Sequence, residues 1–339
     1  MAEQPPEICF GDGISDSALA AEYGSVSAKP PQRPELAFQI VLPKTWISPT
    51  DVETPALEFD KLSVLAAFAE SPQVYVQVLG TILPWEVNLV DWLEYQAHLG
   101  EHTLTAVQSG RTDFGQMVHA EADAADGSKL RIMTTGDGPH VVMLVGRMPP
   151  DAPPRVKETL GLAAASFLFK SHSGKTTREP LKKYADKDGM FQLTHPESWA
   201  CEPLDALRPD KAGVDLRATS EEDTVAFLRV EADKRIARSE FGFKRAYESI
   251  IDELIDTGIE PADMELVSSD EEMKRFQRYL GVAVLPEREG TLALLLRPAE
   301  RAWLISALVC PAKTDNPYGW MRGKRAYELL VASLSEPPS

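Results

Sequence analysis

The chain has 339 residues, 52 of them Asp or Glu against 35 Lys or Arg, for a net charge of −17. That balance argues against nucleic-acid or anionic-membrane partners, because attraction to phosphate needs a basic face. With 43% hydrophobic and 26% charged residues the composition is that of an ordinary globular protein, of two domains or one large one.

Residues 1–34 are rich in Pro, Gly, Ser and acidic side chains and read as a flexible segment. The first strand is Phe38-Gln39-Ile40-Val41-Leu42, stopped by Pro43, which cannot donate to a sheet ladder, with Trp46 just beyond. Apolar and β-branched runs then predict strands over 62–68 and 74–79. The apolar run Leu79-Gly80-Thr81-Ile82-Leu83-Pro84-Trp85 leads into a helix that Asn88 caps, that carries Leu89, Trp92 and Leu93, and that Gly100 ends. A three-strand meander follows over 117–122, 130–134 and 141–145, turned at Asp126-Gly127 and Asp137-Gly138, where Gly tolerates positive φ. Asp151 and Pro153 start a closing helix through Val156, Leu160, Ala163 and Phe167.

After a polar stretch at 171–187, read as a linker, the same order returns. Phe191-Gln192-Leu193-Thr194-His195-Pro196-Glu197-Ser198-Trp199 repeats the first motif with four of nine positions identical. Strands are expected over 214–218 and 225–230. A helix follows, with Ser239 as N-cap, Phe243, Ala246, Tyr247, Ile250, Ile251, Leu254 and Ile255 at helical spacing, and Gly258 at its end. Strands over 279–285, 292–296 and 303–308, with a turn at Glu289-Gly290, rebuild the meander. A helix opened by Asp315 or Asn316 with Pro317 runs through Met321, Leu329, Leu330 and Leu334. Repetition of the whole order indicates an internal duplication: two α+β domains, 35–170 and 188–336.

The succession of strand with Phe, Ile or Leu, Pro and Trp at fixed spacing, then strands, helix, meander and helix, resembles the PsbP-like fold. Phe38, Ile40, Pro43 and Trp46, then Phe191, Leu193, Pro196 and Trp199, carry the resemblance. It implies an antiparallel sheet with packed helices, occurring twice. It also implies a non-enzymatic role, most similar within the group to the DcrB-like proteins and the Eag chaperones of type VI secretion effectors.

Motifs that carry chemistry are few. His98-Leu99-Gly100-Glu101-His102 matches the zinc pattern H-x-x-E-H, which needs both histidines on consecutive turns of one helix. Gly100 between them predicts a helix end, so no metal is expected, and a metal-dependent hydrolase stays the alternative reading. Gly174-Lys175-Thr176 lacks the earlier glycine and the strand of a phosphate-binding loop. Cys9, Cys201 and Cys310 are unclustered, and the opening Met1-Ala2-Glu3 lacks the basic and apolar regions of a secretory signal. No run approaches the ~18 apolar residues of a membrane span. The expected setting is cytoplasmic, without cofactor or membrane insertion.

Trp46 and Trp199, duplicated in register, are expected in the core. The connection bearing Ile82, Leu83 and Trp85 is apolar, whereas its counterpart Lys234-Arg235-Ile236-Ala237-Arg238 is charged, so these three residues are the candidate partner-binding surface. The function expected is that of a chaperone or adaptor shielding an apolar client segment, with basic client flanks suited to the acidic chain. A purely structural tandem module is a further alternative. The two copies are expected to pair about a pseudo-two-fold axis, as an isologous dimer would.

Overall fold

The computed structural model describes residues 8–30, 33–48, 57–59, 61–113, 115–204, 210–220, 223–236, 241–269, 276–286 and 288–337. The chain divides into two units, Met1–Arg178 and Glu179–Ser339.

The first unit runs α1 (Asp16–Glu22), β1 (Tyr23–Ala28), a 3-10 turn at Pro34–Leu36, β2 (Phe38–Pro43), β3 (Ser63–Ser71), β4 (Val74–Ile82), α2 (Leu89–Leu99), β5 (Thr103–Thr112), β6 (Gly115–Asp123), β7 (Lys129–Asp137), β8 (His140–Met148), α3 (Pro154–Ala165) and β9 (Leu168–Phe169). Six strands form an antiparallel sheet in the order β3-β4-β8-β7-β6-β5, and β1-β2-β9 form a small second sheet. Alternation in β2 buries Phe38, Ile40 and Leu42 completely. With Leu160 and Ala163 of α3 and the residues Phe167 and Phe169 that follow it, they fill the core on one face of the large sheet. Phe38 stacks on Phe167 with ring centroids 5.3 Å apart. On the opposite face lies α2, its N-terminus capped by the Asn88 side chain accepting from the Val90 N–H.

The second unit runs β10 (Leu181–Ala185), β11 (Gln192–Pro196), β12 (Trp199–Pro203), β13 (Lys211–Ser220), β14 (Asp223–Asp233), α4 (Gly242–Asp256), β15 (Glu260–Ser269), β16 (Gln277–Leu285), β17 (Arg288–Pro298), β18 (Trp303–Pro311) and α5 (Pro317–Ser333). Its sheet order is β12-β13-β14-β18-β17-β16-β15, which beyond the extra edge strand β12 is the order of the first unit. Phe191, Leu193 and Trp199 join the core beneath α5, while α4 covers the other face with Ala246, Ile250 and Leu254. Trp199 is buried in this core; Trp46 is half-buried against that of the first unit.

Several expectations change. Residues 16–28, expected to be flexible, form α1 and β1, and β1 pairs along the whole of β2 from Tyr23↔Pro43 to Ala28↔Phe38. Residues 1–7 and 31–32 lie outside the described residues. The expected linker is also structured: the Ser173 and Arg178 N–H groups donate to Asp137 and Glu86 of the first unit, and Leu181–Ala185 is β10, paired with β11 of the second. Both β1 and β10 alternate mostly polar side chains, so they show no apolar period. The meander has four strands, not three, because β5 and β15 precede it as edge strands. Only Ala106 of the ten residues of β5 is buried, which leaves no apolar signature. Gly127 and Gly138 turn their hairpins at positive φ as the sequence suggests. Glu289-Gly290 is no turn: Gly290 lies within β17, where a Cβ would come within 2.5 Å of the Cys310 carbonyl oxygen. Ser239 lies outside the described residues, and the residue before α4, Phe241, makes no side-chain capping bond.

Candidate functional site

The placement of α2 leaves a groove. Its buried side chains, Trp92, Leu93 and Ala97 among them, pack over β5, β6 and β7, and it stops short of β8, β4 and β3. Strand pairing brings Tyr75 opposite Arg147, Gln77 opposite Val145 and Leu79 opposite Met143 on that uncovered face. The resulting cavity holds about 370 Å³, with Leu79, Leu130, Ile132, Met143 and Val145 as its floor. Leu93, Gln96 and Ala97 form the helix wall, and Leu62, Tyr75 and Gln77 the facing side. A volume of a few hundred Å³, apolar inside with polar groups at the edge, is that of a ligand-binding cleft.

Among the described residues the lining contains no Asp or Glu, and Arg147 and His102 are its basic side chains. Arg147 Nη2 ion-pairs with Asp126 in the β6–β7 turn. Hydrogen bonds from Ser128, then the guanidinium, hold the Asp126 carboxyl below the usual carboxylate range. His102 Nδ1 is buried and has no hydrogen-bond partner among the described residues. Among the described residues the lining contains no Ser, Thr, Cys or Lys, and Tyr75 and His102 are its titratable side chains besides Arg147.

The H-x-x-E-H segment is split as its glycine predicts. Helix α2 ends at Leu99, with the Gly100 N–H bonded to the Gln96 and His98 carbonyls. Glu101 then turns away at φ 54°, so His98 and His102 do not share consecutive helical turns. Among the described residues no group of three or more His, Cys, Asp or Glu is placed to hold a metal ion. Asp137, His172 and Ser173 are neighbours, with His172 Nε2 3.3 Å from Asp137 Oδ1. Ser173 Oγ donates to Asp137, not to the imidazole, and the Gly174 N–H donates to His172 Nδ1 at 2.8 Å. These bonds pin the segment after β9. No helix among the described residues is long and apolar enough to cross a membrane.

Leu83 is 1% exposed, and Ile82 packs against the core beneath α3 and bridges Phe59. Trp85 is half-buried, its ring edge-on to Phe59 with centroids 5.0 Å apart; Phe59 is 43% exposed. None of the three lines the groove. Sequence reasoning missed Tyr75, Gln77, Val145 and Arg147. The available signal was the alternation in β4, where Tyr75 and Gln77 interrupt the buried Val74, Val76 and Val78 and so define a second, wetter face.

The equivalent face of the second unit is filled. Helix α4 sits over β17 and β18 as well as β15, nearer the sheet centre than α2. Strand β14 presents Arg229, Glu231 and Asp233 on the side that faces α4, opposite Ala307, Ile305 and Trp303 of β18. Arg229 makes two bonds to Asp215, at 2.8 and 3.0 Å. Lys211 bridges Glu231 at 2.9 Å and Glu253 of α4. Arg235 holds Asp233 at 2.7 Å and Asp210 at 3.1 Å. Burial, then the neighbouring Glu253, pushes the Glu231 carboxyl up to about 8.

No family model and no curated protein matches the sequence. Among solved structures the chain is similar to cyanobacterial PsbP (CyanoP) from Synechocystis sp. PCC 6803, at 16% identity and a TM-score of 0.34, over 49% of this chain and 99% of that one. It is also similar to the type VI secretion immunity protein TplEi of Pseudomonas aeruginosa in complex with "L" peptide, at 11% identity and a TM-score of 0.24, over 94% and 99% of the two chains. The Tle4–Tli4 complex gives 11% identity and a TM-score of 0.24, over 94% and 98%.

Proposed function

We propose that the chain is a non-enzymatic protein-binding module, a cytoplasmic chaperone or adaptor whose first unit shields an apolar segment of a client. The observation that carries this reading is the groove beside α2: an apolar floor left open by the helix, with no carboxylate among the described residues of its lining. An apolar segment leaving water for that floor gains free energy in proportion to the area it buries. The net charge of −17 favours a client with basic flanks, chiefly through the rate of encounter. A secreted effector is the client class we place first, since such segments must be kept from aggregating before export.

Hydrogen exchange on the full chain, with and without a synthetic apolar peptide flanked by lysines, tests this. Binding should slow exchange in β4, β8 and α2 and leave β14 and β18 unchanged. The variant Val145→Arg, which places a long charged side chain on the floor, should abolish that protection. Protection confined to other elements, or unaffected by Val145→Arg, would remove the groove from the reading.

A further inference from the structure

The groove differs from the rest of the molecule in charge as well as in shape. In a chain of net charge −17, the lining among the described residues has no carboxylate and carries one permanent cation, Arg147. Arg147 is paired in register with Tyr75 across β4 and β8, and its guanidinium reaches Asp126 in the β6–β7 turn at the edge of the apolar floor. An apolar floor with a forked cation at its edge is complementary to an apolar group that ends in a carboxylate. On this basis, and resting on the reading of the groove as the client site, we infer that it receives the free C-terminus of the client. The last one or two apolar side chains lie on the floor, and the terminal carboxylate pairs with Arg147.

Each part of the site fits that occupant. A volume of about 370 Å³ holds one or two large side chains rather than a longer folded segment. Arginine presents five N–H donors in a planar fork that matches the two oxygens of a carboxylate. The Asp126 pair engages Nη2 only, and its carboxylate is 55% exposed in a turn, so solvent weakens the hold it has on Arg147. Gln77, on the wall facing α2, offers its amide group to the backbone of an entering chain end. His102 Nδ1, buried and unpartnered among the described residues, is a further polar atom that a small shift of the ring would bring to the same ligand. The second unit differs at this place: the positions matching Leu79 and Thr81 are Glu231 and Asp233, already engaged by Lys211 and Arg235.

Calorimetric titration of the full chain with the peptide Lys-Lys-Ser-Gly-Leu-Phe, as free acid and as C-terminal amide, separates the possibilities. The free acid should bind at least about tenfold more tightly, as expected for a hydrogen-bonded charge pair. Arg147→Met should erase the difference between the two peptides, and Asp126→Asn should tighten the free acid more than the amide. Equal binding of both peptides, protecting β4 and β8 from exchange, would overturn the C-terminal inference and leave the groove reading standing. Binding of neither would overturn both. Octanoate binding as tightly as the peptide and displacing it would replace the chain end by a small amphipathic acid.

Discussion

The helix-covered faces of the two units share strand order and pairing register and differ in almost every side chain. Aligned on Met148-Pro149 and Cys310-Pro311, which end β8 and β18, Tyr75, Gln77, Leu79 and Thr81 of β4 take the places of Phe227, Arg229, Glu231 and Asp233 of β14. On the neighbouring strand Leu62 and Ala67 take the places of Lys211 and Asp215. The first unit leaves this region as an apolar cleft; the second fills it with ion pairs that tie the sheet to α4. The difference teaches that the sheet fixes where these positions lie, while the seat of the helix and the chemistry of six or so side chains decide whether space is left for a ligand. A buried ion cluster contributes little net stability over apolar packing, because desolvation offsets attraction. It does make the arrangement intolerant of losing one member.

That intolerance gives the largest expected effect. Lys211→Met strips Glu253 and Glu231 of their shared cation and should destabilise the second unit by about 3–5 kcal/mol. Urea unfolding followed by hydrogen exchange should show β13, β14 and α4 opening earlier while β4 and β8 are unmoved. A loss below about 1 kcal/mol would mean that the cluster is not tied together as described.

Transplanting the second unit's chemistry into the first is the next test. Leu79→Glu puts a carboxylate on the groove floor with no cation of its own and should cost about 2–3 kcal/mol. Adding Leu62→Lys, the position equivalent to Lys211, should recover at least half of that loss and still abolish peptide binding. If the double variant is no more stable than Leu79→Glu alone, the two faces are not equivalent in register.

The acidity of Glu231 sets a pH dependence. Its folded-state value is raised, from 4.5 to about 8, so between those values the folded chain binds more protons than the unfolded one. Its contribution is therefore fully present below about pH 4.5 and falls as pH rises to 8, with a slope of at most about 1.4 kcal/mol per pH unit. Against the opposing effect of burial, the hydrogen bond with Glu231 and then Lys211 hold Glu253 below its ordinary value, and Arg235 does the same for Asp233, so they act oppositely and mainly at lower pH. Thermal unfolding of Glu231→Gln across pH 5–8 should lose the decline that the unaltered chain shows. An unchanged slope would assign the titration to another group.

The smallest effect is expected at the Phe59–Trp85 contact. Trp85→Ala should lower stability by about 1 kcal/mol through lost ring contact. Because Trp85 does not line the groove, peptide affinity should change less than twofold. A larger drop in affinity than in stability would return this residue to the binding surface.

How much was legible can be judged residue by residue. Phe38, Ile40, Phe191 and Leu193 showed their burial through alternation and repetition, and the Asn88 cap with the Gly100 stop placed α2 and split the H-x-x-E-H pattern. Strands β1, β5, β10 and β15 were not legible, because edge and small-sheet strands bury few side chains and take their stability from pairing partners distant in sequence. The burial of Leu83 was not legible for a related reason: an apolar residue in a connection looks the same whether it faces solvent or core. Arg147 carried no signal by itself, since one cation in a strand acquires meaning only from the neutral lining around it.

The sequence by itself determined the α+β class and the repeated order of elements, because periodicity, caps and turn residues act over a few positions and recur wherever the same local structure is built. Only the tertiary structure decided that α2 rests on β5–β7 while α4 reaches toward β18, and that Lys211, Glu231 and Glu253 meet. Those outcomes depend on how helices seat on a sheet, where side chains far apart in the chain compete for the same volume and the same charges. A one-dimensional pattern fixes which face of a strand is apolar; the packing of the neighbouring helix fixes whether that face is covered, filled with ion pairs or left open as a groove.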